Sequence, residues 1–168
     1  MNENFELYCE IAKEIIFHSK FESQKNYFHH KTSLYEHAIS VSYYSFLIAK
    51  KLKFDVRSVV RGALLHDFFL YDWRKEGRRI RKKLFKKHGF THAKTAYQNA
   101  IEYFELNEKE KDIILKHMFP LNIKPPIYKE SWLVNLVDNF VTFKEYFKAK
   151  KNFRLFRYIE NKKINFHQ

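Results

Sequence analysis

Two carboxylates and four imidazoles stand in this sequence among apolar side chains. In LLHDFFLYDW (64–73), His66 and Asp67 adjoin inside a hydrophobic run. His37 lies near the apolar stripe of the segment from Leu34 to Val41, and His92 beside the start of a later helical stretch. His117 follows Ile113-Ile114-Leu115, and Asp138 sits within WLVNLVDNFVTF. Taken singly, each has an ordinary explanation: a core histidine satisfied by hydrogen bonds, or a carboxylate paired with lysine or tyrosine. As a set they need another. A buried carboxylate without a partner is heavily penalised, and the usual escapes are a charge partner or a metal. Successive members are separated by 29, 25, 25 and 21 residues, about one helix-turn-helix unit each. Helices of a bundle can bring such side chains to one interior point. Imidazole nitrogen with carboxylate oxygen suits iron, manganese, zinc or nickel better than calcium.

The elements that must position these groups read as helices. Three glycines and three prolines leave little of the punctuation that hairpins need. The spacing predicts a first helix over 5–18, with Leu7, Ile11 and Ile15 on its apolar side, then a polar linker over 22–32. Ser33 and Glu36 have the spacing of a capping box. It would open a helix to Leu52 carrying Leu34, Ala38, Val41, Ser45, Ile48 and Leu52 on one stripe. Asp55 can cap the next helix, which runs through Val56, Val59, Val60, Ala63 and Leu64 to the His66-Asp67 doublet. Gly62 within it costs up to ~1 kcal/mol against alanine, which suggests close packing there. A basic helix around 78–87 is expected, stopped by Gly89. Thr91 would cap a helix to Phe104, and Asn107 with Glu110 would open another to about Met118. Pro120, Pro125 and Pro126 mark a loop. Ser131 starts an apolar helix to Phe147, and a basic-aromatic helix over 152–161 closes the chain, with Phe153, Phe156 and Ile159 docking on the rest.

The expected fold is therefore all-α, a helical bundle in one domain over 1–168, with the site-bearing core at about 33–147. A single cysteine permits no internal disulfide and points to a reducing compartment. There is no secretory signal pattern and no run of ~18 uncharged apolar residues, so no transmembrane segment is expected, and the location is read as cytoplasmic. The net charge of +13 implies an anionic partner. A compositional habit of the genome would also produce it.

The order H…HD…H…H…D, at His37, His66-Asp67, His92, His117 and Asp138, resembles the HD-domain superfamily of metal-dependent phosphohydrolases. The likeness spans roughly 33–147. It implies an HD-domain-like helical bundle in which His37, His66, Asp67 and Asp138 hold one divalent transition metal. Asp67 would bridge to a second ion completed by His92 and His117. The resemblance also implies hydrolysis of a phosphomonoester or phosphodiester, a nucleotide being the expected partner, at a dinuclear site with Asp67 as a catalytic group. Relatives with nucleotidase-like activity carry an extra acid a few residues after the doublet, and Asp72 is the matching candidate. It could instead pair with Arg74 or Lys75. The doublet runs into Phe68-Phe69-Leu70 without a Gly-Lys, and there is no Gly-Tyr-Pro motif. Both departures speak against the substrate of the cyclic-dinucleotide branch.

No phosphate-cradling G-x-x-x-x-G-K-[ST] or G-x-G-x-x-G loop is present, so lysine and arginine must neutralise the phosphate. The candidates are Lys75, Arg78 and Lys82 in the basic run 74–87, and Lys94. The same run could be a solvated helix. RNA or DNA binding, with aromatics stacking on bases, is a weaker reading in the absence of a recognised module. Two other functions share the ligand set: a di-iron oxygenase on the same fold, and a nucleotide- or nucleic-acid-binding protein with a purely structural metal.

Overall fold

A computed structural model describes residues 3–29, 32–70, 88–147 and 153–166. Among these, eight α-helices occur: α1 (Glu3–Ile16), α2 (Ser19–Glu22), α3 (Leu34–Leu52), α4 (Val56–Leu65), α5 (His88–Tyr103), α6 (Glu108–Lys116), α7 (Lys129–Phe147) and α8 (Phe153–Phe166). A 3-10 turn, Ser23–Asn26, follows α2. Where a polar linker was expected, two strands of two residues each also form, β1 (Phe28–His29) and β2 (Thr32–Ser33), paired antiparallel. The architecture is all-α, as the sequence pattern predicts.

The capping signals fall where the sequence places them. Ser33 accepts from the Glu36 amide while the Glu36 carboxylate accepts from the Ser33 amide, opening α3. Asn107 and Glu110 do the same for α6. Asp55 caps α4 through the Ser58 amide. Each cap satisfies amides that the first helical turn leaves without a partner.

Other expectations shift. α1 starts at Glu3 and ends at Ile16, with α2 following directly. The helix expected from Thr91 begins at His88, so Gly89 lies inside its first turn and does not stop anything. First-turn amides have no intrahelical partner, so no hydrogen bond is lost by starting there. α7 begins two residues before Ser131, and α8 extends to Phe166. Leu7 is exposed, and α1 buries Tyr8, Cys9, Ala12, Ile15 and Ile16. The last turns of the α3 stripe are uncovered: Ile48 and Leu52 face solvent, while Phe46 and Ala49 are buried. Leu52 stands five full turns from Leu34 at 3.6 residues each, so the stripe keeps its face and lacks a covering neighbour at its end. The basic helix expected around 78–87 lies outside the described residues.

α3 packs on α4 and α7, and α4 packs on α1, α6 and α7. One apolar core joins α1, α3, α4, α5 and α8 around Tyr8, Phe21, Phe46, Leu64 and Phe68. Leu155 and Ile159 anchor α8 in it, with Phe156 packed against it. A second core, around Val41, Val59, Ala63, Ile113, Val134 and Val137, joins α3, α4, α6 and α7. α3 and α7 carry His37 and Asp138, and His66, Asp67 and His117 stand just past the ends of α4 and α6.

Candidate metal centre

α4 and α6 approach closely at Gly62. A Cβ on Gly62 would lie 2.7 Å from Ile113 Cδ1 and 3.0 Å from its Cβ and Cγ2, so glycine is what lets α6 approach. One turn further along each helix stand His66 and His117, the C-caps of α4 and α6. Each imidazole donates Nδ1–H to the carbonyl three residues back: His66 to Ala63 at 2.7 Å, His117 to Ile114 at 2.8 Å. With the proton fixed on Nδ1, Nε2 carries the lone pair and faces inward.

The chain after α4 turns sharply, and its carbonyls, lacking helical partners, are held by side chains. Gln24 Nε2 donates to the Asp67 carbonyl at 2.8 Å, Asn99 Nδ2 to that of Phe68 at 2.9 Å, and the Tyr27 hydroxyl to that of Leu70 at 3.1 Å. Asn135 Nδ2 donates to the carbonyls of His117 and Phe119, tying the end of α6 to α7. These clamps place the carboxylate of Asp67 between two sets of imidazoles.

All six side chains that the sequence singles out meet. His37, His66 and Asp138 form one group and Asp67, His92 and His117 another; within each, the donor atoms lie within 4.8 Å of one another. Asp67 faces both. Its Oδ1 is 2.8 Å from His92 Nε2 and 3.3 Å from His117 Nε2, and its Oδ2 is 3.7 Å from His66 Nε2. Asp138 Oδ1 is 3.1 Å from His37 Nε2 and 3.6 Å from His66 Nε2. His37, His66 and His117 are buried, whereas His92 and Asp138 reach the surface at 16% and 15% side-chain exposure and mark the mouth. The ring of Phe69 covers His92, with centroids 4.4 Å apart.

The residues fit a cation. Nε2 of His66 and of His117 are buried and have no hydrogen-bond partner. Their nearest carboxylate oxygens are too distant or poorly aligned. Two lone pairs left bare beside the buried Asp67 and the half-buried Asp138 are costly, and a divalent ion among them would satisfy all four groups. The electrostatics of the metal-free site agree. Burial opposes the charge on His37, but hydrogen bonds to Asp138 and Glu145 overcome it and raise its pKa to about 10. Burial likewise opposes the charge on His66, and the nearby Asp67 and Asp138 carboxylates raise its pKa nonetheless. Burial would push both carboxyls up. The His66 and His92 charges instead hold Asp67 well below the usual carboxylate range, and the His66 charge with the His37 hydrogen bond does the same for Asp138. The protein thus draws protons into a place where positive charge is wanted.

Glu145 is part of the arrangement and the sequence reading missed it. Its Oε2 lies 3.0 Å from His37 Nδ1 and accepts from the Thr32 hydroxyl at 3.0 Å. Seven residues after Asp138, it shares the same face of α7, and that spacing was the available signal. Gln24 left no such signal, because its target is a backbone carbonyl 43 residues away. Of the substrate-binding candidates, Lys94 is exposed on α5, about 200° around the helix from His92 at ~100° per residue. Asp72, Lys75, Arg78 and Lys82 lie outside the described residues.

No curated protein and no solved structure matches the chain. The family model described as HD domain matches residues 34–142, from the first residue of α3 into α7. That interval is more than half of the chain and contains every member of the two metal-compatible groups. The chain belongs to the HD domain family, within the superfamily of metal-dependent phosphohydrolases.

Proposed function

We propose that the protein hydrolyses a phosphomonoester or phosphodiester, a nucleotide being the substrate class, in the cytoplasm and with two divalent transition-metal ions drawn from iron, manganese, zinc and nickel. The observation that carries this reading is the pair of buried, unpartnered Nε2 atoms of His66 and His117 on either side of Asp67. His37, His66 and Asp138 would hold one ion, His92 and His117 the other, and Asp67 would turn one oxygen to each. Such ions supply Lewis acidity, polarising a phosphoryl oxygen and acidifying water.

The remaining chemistry belongs to the chain. Ala63 and Ile114 carbonyls fix the tautomers of His66 and His117. Glu145 orients His37 from behind, as carboxylates commonly do for metal-binding histidines. Phe69 screens the inner side of His92 from water. We assign Asp72 the proton destined for the leaving oxygen, and Lys75, Arg78 and Lys82 the neutralisation of the phosphate's non-bridging oxygens; Lys94, on the far side of α5 from His92, takes no part.

The test is elemental analysis of the purified protein, followed by assay under argon of bis(p-nitrophenyl) phosphate and a nucleotide panel with the identified metal restored. About two metal equivalents and oxygen-independent release of phosphate or alcohol are expected. Failure to bind any of the four metals refutes the proposal. Turnover that requires O₂ replaces it with the oxygenase reading.

A further inference from the structure

We infer that the outer face of α7 is a docking surface for a second copy of this chain, α7 against α7 across a two-fold axis. Eleven large apolar side chains are exposed among the described residues, and seven of them fall within 121–143. Trp132, Leu136, Phe140 and Phe143 are 39%, 64%, 61% and 65% exposed. Their spacings of four, four and three trace one line along a 3.6-residue helix. The opposite side of α7 buries Val134, Val137 and Val141 in the core. α7 is therefore apolar on both sides, the pattern of a helix covered on both.

The charges of α7 are arranged to leave this line neutral. Glu130 and Glu145 are buried, and Asp138 faces the metal-compatible pocket. Lys129 lies back over the ring of Phe54 at 4.5 Å, and Lys144 over that of Tyr44 at 5.1 Å, bonded to its hydroxyl. Asn139 is the polar group on the face, and its amide is bonded to the Asn135 carbonyl. A surface built for anionic lipid places its ammonium groups beside the apolar residues, free to reach headgroups. Along α7 both ammonium groups are drawn onto rings of their own chain, and Lys124 in the loop before it is the exposed cation beside the apolar residues. Neutral, aromatic and charge-depleted is instead the composition of a protein interface core.

The area matches a copy of the same chain. The loop before α7 adds Leu121, Ile123 and Ile127, each more than 70% exposed, and joins the line where Phe119 meets Trp132 at 5.4 Å between ring centroids. Taking roughly 150–200 Å² per large side chain, the exposed fractions amount to on the order of 700 Å², against roughly 800 Å² per partner in a standard interface. A two-fold axis perpendicular to α7 near the middle of the line sets Leu136 opposite Phe140 of the other copy, and Trp132 opposite its Phe143. Asp138 and Glu145 project from the other side of α7, so each protomer keeps its own complete site.

Sedimentation velocity of the full chain over a wide concentration range tests this directly. The wild type is expected at twice the chain mass, and Leu136→Glu is expected to weaken the dimer at least ~30-fold, as a central interface residue does. Cys9 is the single cysteine and is buried, so Asn139→Cys introduces the only exposed thiol. Under oxidation it should cross-link two copies, whereas Leu7→Cys on α1 should not. Metal content is measured alongside and should be equal in wild type and Leu136→Glu, so a failure of the metal site registers separately. Wild type that sediments as one chain at every concentration, or a Leu136→Glu dimer of unchanged strength, overturns the inference. Monomeric wild type that binds phosphatidylserine vesicles through Leu136 overturns it in favour of a membrane.

Discussion

Replacing Gly62 by alanine separates the fold from the site. The new Cβ would meet Ile113 Cδ1 at 2.7 Å, and the Cβ and Cγ2 of the same residue at 3.0 Å. Cδ1 can rotate away. Cβ and Cγ2 cannot, because the branched side chain is stiff at χ1 and fixed to the backbone of α6. Carbon atoms at rest sit ~3.5–4.0 Å apart, so α4 and α6 must part by roughly 0.5–1 Å. The fold tolerates this. Overpacking costs ~1–3 kcal/mol, and the helix propensity of alanine returns ~1, leaving a net loss of ~0–2 kcal/mol. The site does not tolerate it. His66 and His117 stand one turn beyond the contact on the two helices that move, and metal–donor distances hold to about ±0.2 Å. Gly62→Ala should therefore remain folded by circular dichroism and denaturant titration, yet bind metal at least ~10-fold more weakly by calorimetry, the lower bound seen when supporting residues of metal sites are lost. Ile113→Ala in the same chain removes Cγ2 and Cδ1 and should restore part of the affinity, a coupling that a double-mutant cycle measures. If Gly62→Ala binds metal like the wild type, the α4–α6 contact does not set the spacing of the site.

Glu145→Gln should lower metal affinity by ~10–100-fold and also destabilise the metal-free protein, whose His37 loses one of its two carboxylate partners; unchanged metal binding would show that His37 needs no carboxylate behind it. Asp67→Ala should lose both metals by elemental analysis, since its two oxygens face the two groups; retention of one full equivalent would refute the bridging role. The metal-free protein should lose stability with rising pH. His37 has a raised pKa, so its contribution is whole below the unfolded value of ~6.5 and disappears as pH climbs through about 10; a melting temperature flat across that window refutes the pairing with Asp138 and Glu145. Lys82→Ala and Lys75→Ala should raise KM more at low salt than at high salt, and a KM indifferent to ionic strength would remove the basic run from substrate capture.

How much of this was written in the chain depends on the kind of interaction. Buried charge is conspicuous in sequence, so the six imidazole and carboxylate groups stood out against Val134, Val137, Ile113 and Leu64 without any coordinates. Capping is local, so Ser33-Glu36, Asp55 and Asn107-Glu110 could be placed to the residue. Gly62 was legible as an anomaly whose cost needed a reason, and the reason is Ile113. What could not be read depends on contacts distant in sequence. Gln24 and Asn99 look like ordinary polar residues until the turn after α4 is folded against them. Leu7, Ile48 and Leu52 fit an apolar periodicity yet face solvent, because periodicity gives a face and not what covers it. The outer line of α7 is the converse: the helix reads as apolar throughout, and nothing local distinguishes exposed Trp132, Leu136 and Phe140 from buried Val134 and Val137.

The two helix ends favour a cation at the point where the six side chains meet. α4 and α6 both finish at the site, and each has a histidine as its C-cap. The last carbonyls of a helix lack amide partners and carry the negative end of its dipole. His66 and His117 use that end twice. Their Nδ1 protons satisfy the Ala63 and Ile114 carbonyls, and this fixes the tautomer that turns Nε2 inward. The two negative helix termini then add to the field of Asp67 and Asp138 at the same point. Such a field is unfavourable to the metal-free fold and raises the proton affinity of His37 and His66. A cation held by His37, His66, Asp67, His92, His117 and Asp138 would offset that field in place of protons, and would offer the proposed phosphate a positive target at the mouth marked by His92 and Asp138.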